Sequence, residues 1–159
     1  MTTPSISTTE LYTYLDTLIE SDTPVFIHGS PGIGKSYIVA DIAEKNNLEL
    51  VDVRLSQMDP VDLRGVPSIK GDQTVWMPPV FFPKDPDSRG ILFLDELNSA
   101  PPSVQAAIYQ LVLNRKMGEY ELPKNWRILC AGNRVSDRGV VFRLPTPLAN
   151  RMVHLHVQA

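Results

Sequence analysis

The sequence predicts a three-layer α/β fold, in which a parallel sheet of five strands is covered by helices on both faces. Three observations carry that expectation. Short apolar runs alternate along the chain with amphipathic helical patterns, the rhythm of strand-helix-strand crossovers. Three runs, Val25-Phe26-Ile27, Ile91-Leu92-Phe93-Leu94 and Ile128-Leu129-Cys130-Ala131, are continuously apolar, as central parallel strands buried on both faces require. Two others, Val51-Asp52-Val53-Arg54-Leu55 and Val153-His154-Leu155-His156-Val157, alternate instead, which places them at the two edges of the sheet.

The elements follow in order. "STTE" at 7 to 10 has capping-box spacing, Ser7 with Glu10, and Leu11, Leu15, Leu18 and Ile19 share one stripe, predicting an N-terminal amphipathic helix over 7 to 21. "PVFIHG" (24 to 29) reads as the first strand, 35 to 46 as a helix, and "ELVDVRLS" (49 to 56) as the second strand. "ILFLDEL" (91 to 97) is the third strand, and 101 to 116 a helix with proline in its first turn, where a missing N–H does no harm. "WRILCAGN" (126 to 133) is the fourth strand, a short helix covers 146 to 151, and "MVHLHV" (152 to 157) is the fifth strand. Between residues 57 and 83 the connection is too long for an ordinary loop, and "GVPSIKGDQTVWMPP" reads as a hairpin turning at Lys70-Gly71-Asp72 with Trp76 exposed. "KMGEYEL" (116 to 122) is a second hairpin.

Composition bounds the function classes. A chain of 159 residues, 43% apolar and 21% charged, is expected to form one domain with its own core. Its formal net charge of −3 removes any general electrostatic argument for nucleic acid or an anionic membrane as partner. A single cysteine, Cys130, excludes an internal disulfide framework and reads as a small buried apolar group. No apolar stretch approaches the roughly 20 residues of a membrane span, and "MTTPSISTTE" has neither the basic start nor the apolar core of a secretory signal. A cytoplasmic, reducing location is the expectation.

Between the first strand and its helix lies "GSPGIGKS", residues 29 to 36, a full G-x-x-x-x-G-K-[ST] phosphate loop in the strand-to-helix context that such a loop needs. Its glycines let successive backbone N–H groups curl toward phosphate oxygens, and the helix behind adds its positive end. The predicted cradle is Gly29, Ser30, Pro31, Gly32, Ile33, Gly34, Lys35, Ser36 and Tyr37, with Lys35 reaching the terminal phosphates and Ser36 ligating Mg²⁺. ATP with Mg²⁺ is therefore the expected ligand.

The third strand ends in Asp95-Glu96, and the phosphate loop explains why a buried strand should end in two carboxylates. Ligands of open α/β sheets lie at the carboxyl ends of the strands, where Asp95 can join Ser36 in the Mg²⁺ shell and Glu96 can polarise the water that attacks the γ-phosphate. Asn133, at the end of the fourth strand, offers a neutral amide to that water or phosphate, or else caps a turn. Arg151 closes the short helix before the fifth strand, away from its own γ-phosphate, so that it can serve a neighbour's site or form a surface salt bridge; Arg138 and Arg143 are weaker candidates for the same job. His154 and His156 share a face of an edge strand without a third spaced ligand, and His28 reads as a strand-end residue.

In order and spacing, "GSPGIGKS", "ILFLDE", "AGN" and "PLANRM" resemble the Walker A, Walker B, sensor-1 and arginine-finger segments of AAA+ ATPases. "DELNSAPPSVQAAIYQL" and "VDVRLSQMDPVDLRGVP" are similar to segments of the MoxR-like group. The resemblance covers roughly residues 24 to 157 and implies a P-loop NTPase fold with strand order 5-1-4-3-2, in agreement with the two alternating edges. It further implies an ATPase motor or chaperone that assembles into a hexameric ring in its lid-containing form and remodels a protein client, with a von Willebrand A-type domain protein as the candidate. The hairpin at about 64 to 83 corresponds to an insert in the family's second helix, facing the pore or a client; a rigid surface loop is the alternative. AAA+ proteins carry a helical lid after the fifth strand, and none is expected in a sequence that stops at Ala159, so residues 1 to 159 read as the nucleotide-binding core alone, with weak hydrolysis by itself. Two other functions fit the phosphate loop: a P-loop kinase, for which no arginine-rich lid or acceptor site is visible, and a nucleotide-dependent binding switch with little turnover. "NRVSD" lacks the N-K-x-D guanine reader, which argues against a GTPase.

Overall fold

The computed structural model describes residues 4 to 133 and 144 to 158. Its first element, α1 (Thr8–Leu18), starts at a closed capping box in which the Glu10 amide donates to the Ser7 hydroxyl at 3.1 Å and the Ser7 amide donates to the Glu10 carboxylate at 3.2 Å. The helix stops three residues short of the predicted end. Beyond Leu18 the Ser21 hydroxyl accepts from the Thr23 amide at 3.1 Å, a local side-chain bond that competes with continued helix and turns the chain into the sheet.

Five strands then make the main sheet: β1 (Val25–His28), β2 (Glu49–Arg54), β5 (Gly90–Asp95), β8 (Trp126–Gly132) and β9 (Val153–His156). Their order is β2-β5-β8-β1-β9 and every pairing is parallel, so the alternating strands are the edges and the continuously apolar ones lie inside. Two apolar clusters sandwich this sheet. Val25, Ile27, Ile91, Phe93 and Leu129 face Leu11 and Leu15 of α1 and Ile38, Val39 and Ile42 of α2 (Lys35–Lys45). Phe26, Leu92, Leu94, Ile128 and Cys130 face Val104, Ile108 and Leu111 of α4 (Pro102–Asn114) and Leu148 of α5 (Thr146–Ala149). Cys130 is fully buried in this second cluster, and burial pushes its thiol far above the usual range, leaving it a packing group.

The long connection after β2 holds more structure than the sequence pattern announces. A 3₁₀ turn (Leu55–Gln57) leads into α3 (Pro60–Arg64), whose proline occupies the first turn and whose Asp62 carboxylate accepts from the Asp59 amide at 2.9 Å. The hairpin β3 (Val66–Lys70) and β4 (Gln73–Met77) follows, paired from Val66↔Met77 to Lys70↔Gln73 across Gly71 at φ 63°. Gly65 enters it at φ 82°, where any Cβ would collide with the Met77 carbonyl, so only glycine fits. Val66, Ile69 and Trp76 of this hairpin are exposed. Trp76 borders a groove of about 420 Å³ shared with α3, α4 and the second hairpin, β6 (Lys116–Met117) and β7 (Tyr120–Glu121). Among the described residues no helix is long and apolar enough to cross a membrane.

Candidate functional site

The sheet brings its chemistry to one edge because β1, β5 and β8 run parallel and end together. The loop between β1 and α2 curls through Gly32 at φ 82° and Gly34 at φ 91°, both left-handed positions that favour glycine. Gly34 caps α2, so the helix's unpaired N–H groups open onto the loop's hollow. Pro31, Gly32, Gly34, Lys35, Ser36 and Tyr37 line a cavity of about 270 Å³ together with Asp95, Glu96 and Asn133. Gly29, Ser30 and Ile33 shape the loop from behind. A Cβ on Gly29 would run into the Ile33 side chain, and the Gly29 and Ser30 carbonyls accept from the Lys35 ammonium at 2.7 and 3.2 Å. Lys35 is only 9% exposed, its stem packed and its charge turned onto the loop that carries it.

Asp95 is slightly more buried than Lys35 and has both oxygens engaged. Oδ2 accepts from the Ser36 hydroxyl at 3.1 Å and Oδ1 from the Glu96 amide at 2.9 Å. The Ser36–Asp95 contact joins two elements 59 positions apart in sequence and sets two hard oxygen donors side by side. That donor set suits Mg²⁺, which keeps most of its shell in water and phosphate oxygens and takes one or two protein ligands. Among the described residues no group of three His, Cys, Asp or Glu side chains could hold a metal by itself.

Glu96 takes left-handed backbone angles, φ 59° and ψ 37°, at the start of a 3₁₀ turn (Leu97–Ser99). A non-glycine residue there is strained, and the reward is a sharp exit that swings the Glu96 side chain along the sheet edge. Its carboxylate Oε2 accepts from the hydroxyl of Ser56, just past the end of β2. Nothing in the sequence pattern singled out Ser56, because the contact depends on β2 and β5 being neighbours. Asp52, also on β2, has its carboxyl pushed up by burial first and by the charge of Asp95 second. Asn133 follows the last residue of β8 and reaches the cavity beside Glu96. Arg151 sits exposed in the turn between α5 and β9, outside the residues that line the cavity. Arg138 and Arg143 lie outside the described residues.

The three histidines come together beside the loop. His154 and His156 lie on β9 opposite Phe26 and His28 of β1, so a third imidazole joins the pair through register. His28 Nε2 and His154 Nδ1 are 2.8 Å apart, and His154 Nε2 is 2.6 Å from the Ala149 carbonyl, which needs its proton. His154 Nδ1 is then the acceptor and His28 Nε2 the donor. Burial, then His156, His154 and Lys35, push His28 down to about 3. An unfolded histidine takes its proton near 6.5, so the stability tied to neutral His28 is whole above that pH and is lost as pH falls toward 3. Thermal melts from pH 7 to pH 4 should show this fall, and His28→Phe, which keeps the ring stack, should flatten it. An unchanged slope would assign the loss to other groups.

With this geometry in place, a family model described as the AAA domain, dynein-related subfamily, matches residues 24–152. The chain belongs to that family. As an AAA domain it is a member of a group of nucleotide-binding ATPases whose domains commonly assemble into rings. It is 32% identical over 144 residues to midasin of Giardia intestinalis, covering 84% of this chain and 3% of that protein. To midasin of Dictyostelium discoideum it is 28% identical over 147 residues, covering 84% of this chain and 2% of the relative. Among solved structures it is similar to a candidate ATPase of Cytophaga hutchinsonii, at TM-score 0.65 and 20% identity over 95% of this chain and 47% of that one. NtrX of Brucella abortus, solved in complex with ADP, superposes at TM-score 0.61 and 18% identity over 98% of this chain and 37% of its own. The sequence thus spans a few per cent of the midasins and less than half of these structures. At such identities the solved structures speak to the fold: an AAA core on a five-stranded parallel sheet.

Proposed function

We propose that this AAA domain binds ATP with Mg²⁺ and hydrolyses it as the core of a MoxR-like motor that remodels or assembles a protein partner. The observation that carries the reading is the Ser36–Asp95 hydrogen bond at the rim of a cavity that Lys35, Glu96 and Asn133 also line. That NtrX, a protein of the same fold, was solved in complex with ADP supports nucleotide binding as such. Residues 1 to 159 are read as one core unit, and the hairpin at about 64 to 83 as the insert that meets the client.

Each residue then has a task. The loop N–H groups and the start of α2 receive the phosphates, while Lys35 exchanges the Gly29 and Ser30 carbonyls for phosphate oxygens. Ser36 and Asp95 would hold Mg²⁺, which when bound neutralises charge on the terminal phosphates. The Glu96 carboxylate takes a proton from water as its oxygen bonds to the γ-phosphorus, and the bond to ADP breaks with its electron pair leaving on the ADP oxygen. The Asn133 amide hydrogen-bonds that water or a γ-phosphate oxygen. Calorimetry with ATP and Mg²⁺, followed by phosphate release with and without chelator, tests the assignment. Absence of both nucleotide binding and phosphate release would overturn it.

Glu96 begins this cycle occupied by Ser56, so that contact has to open before the carboxylate can meet water. Ser56→Ala should raise basal turnover by about tenfold or more without changing nucleotide affinity, since a hydrogen bond to a charged group is worth about 1.5–3 kcal/mol. A rate that falls instead would mean that the hydroxyl helps aim the carboxylate.

Arg151, exposed and away from its own cavity, is placed to serve as a finger toward a neighbouring copy in a hexameric ring, and a von Willebrand A-type domain protein is the candidate client. Mixing chains carrying Arg151→Ala with chains carrying Glu96→Gln should restore part of the activity that neither has alone. Co-assembly without recovery would return Arg151 to a surface role.

A further inference from the structure

Beyond the loop, the two carboxylates and Asn133, one more buried polar side chain stands at this sheet edge. Asn98 lies in the 3₁₀ turn that Glu96 opens and is 5% exposed. Its Nδ2 donates to the Asn133 carbonyl at 2.7 Å. Its Oδ1 is buried with no hydrogen-bond partner among the described residues, an expense of about 1–3 kcal/mol that a packing role would not require. A leucine would fill the same space without it.

The strand pairings show what the bond accomplishes. The β5–β8 ladder runs from Gly90↔Trp126 to Leu94↔Cys130 and stops, so the residues past its end have no rung between them. On the other side, the β1–β8 ladder ends at His28↔Gly132, with the Gly29 amide donating to the Gly132 carbonyl at 3.1 Å. Asn133 therefore comes directly after the last backbone tie to β1 and lies beyond Cys130, where the ladder to β5 ends. The Asn98 side chain supplies the missing rung from the turn that begins at Glu96. Gly132 is shaped to admit it, since a Cβ there would collide with Asn98 Oδ1 and come within 2.7 Å of its Cγ. Gly132 is not one of the left-handed glycines, so the space and not the backbone calls for glycine.

We infer that Asn98 is a positioning residue for the reaction, fixing the Asn133 amide relative to Glu96 across the gap between β5 and β8. This rests on the hydrolytic reading above. With the rung gone, Asn133 is tethered only through β8, and a displacement on the order of 1 Å at a reacting centre costs about a hundredfold in rate. Nucleotide binding is carried by the loop, Ser36 and Asp95, which Asn98 does not touch in any hydrogen bond among the described residues.

Single-turnover hydrolysis and calorimetric ATP affinity, measured on folded protein verified by thermal melts, separate these effects. Asn98→Ala should slow the chemical step about ten- to a hundredfold while ATP affinity stays within about threefold. Gly132→Ala keeps the asparagine but sets a methyl group against its side chain and against the buried Phe26 ring, and should slow the chemical step as well, with a lower thermal melt from the Phe26 contact. Asn133→Ala should also be slow, and adding Asn98→Ala to it should cost little more, because the two act as one unit. A merely structural role predicts losses that multiply and that reach affinity as well. If Asn133→Ala is slow while Asn98→Ala and Gly132→Ala turn over like the parent, the inference on Asn98 fails and the hydrolytic reading stands. If Asn133→Ala itself turns over like the parent, the assignment of Asn133 fails and the inference falls with it.

Discussion

Glu96→Gln should leave ATP bound and slow its hydrolysis by roughly 10²–10⁴, the range for removing a general base. The exchange is close to isosteric, so the sharp turn at φ 59° and the Ser56 contact, in which the amide oxygen can still accept, are retained. What disappears is the ability to take a proton. Affinity should hold because the proposed function gives the phosphate contacts to Lys35 and the loop, and the cation ligands to Ser36 and Asp95. Asp95→Asn makes the contrasting variant: it removes the charge beside Ser36 and should weaken Mg²⁺-dependent binding itself. Undiminished turnover in Glu96→Gln would remove this carboxylate from the chemistry, and loss of binding with turnover would move its role to the ground state.

The site was legible in the sequence where its parts are contiguous and hidden where topology assembles them. The phosphate loop announces itself because its eight residues run together and each has a steric or charge reason to be there. The parallel sheet and its edges were readable because two-sided burial demands an unbroken apolar run and one-sided burial demands alternation, and β5 and β9 differ in that respect. Ser56, by contrast, lies 40 positions from Glu96, and no periodicity marks a serine after an edge strand as the partner of a carboxylate on the next one. Asn98 stood inside a quoted motif, yet its meaning depends on where the β5–β8 ladder stops. His28 joins the histidine pair of β9 through register, opposite His156, yet among the described residues the three rings form no group that could hold a metal, as the sequence spacing implies. Local competition explains the smaller errors: Ser21 ends α1 early, and Asp59-Pro60 starts a short helix inside what read as an irregular connection.

Removing the charge at Lys35 should abolish measurable nucleotide binding while the fold survives. Lys35 is 9% exposed, and its ammonium is held inside the loop by the Gly29 and Ser30 carbonyls. Each charge-assisted hydrogen bond it would make to phosphate is worth about 1.5–3 kcal/mol, and losing two of them weakens binding by at least about a hundredfold. Lys35→Met is the discriminating variant because it keeps the buried stem and removes only the charge, so a loss of binding cannot be ascribed to a packing defect. Its thermal melt should fall only modestly, by the cost of leaving the buried Gly29 carbonyl without its donor. Lys35→Arg should fail too: a planar guanidinium presents its donors in a wide fork, and this pocket is built around a compact point charge. Calorimetry with ATP and Mg²⁺ reads all three proteins, and equal affinity in Lys35→Met would show that the backbone N–H groups and the α2 terminus hold the phosphates without the lysine.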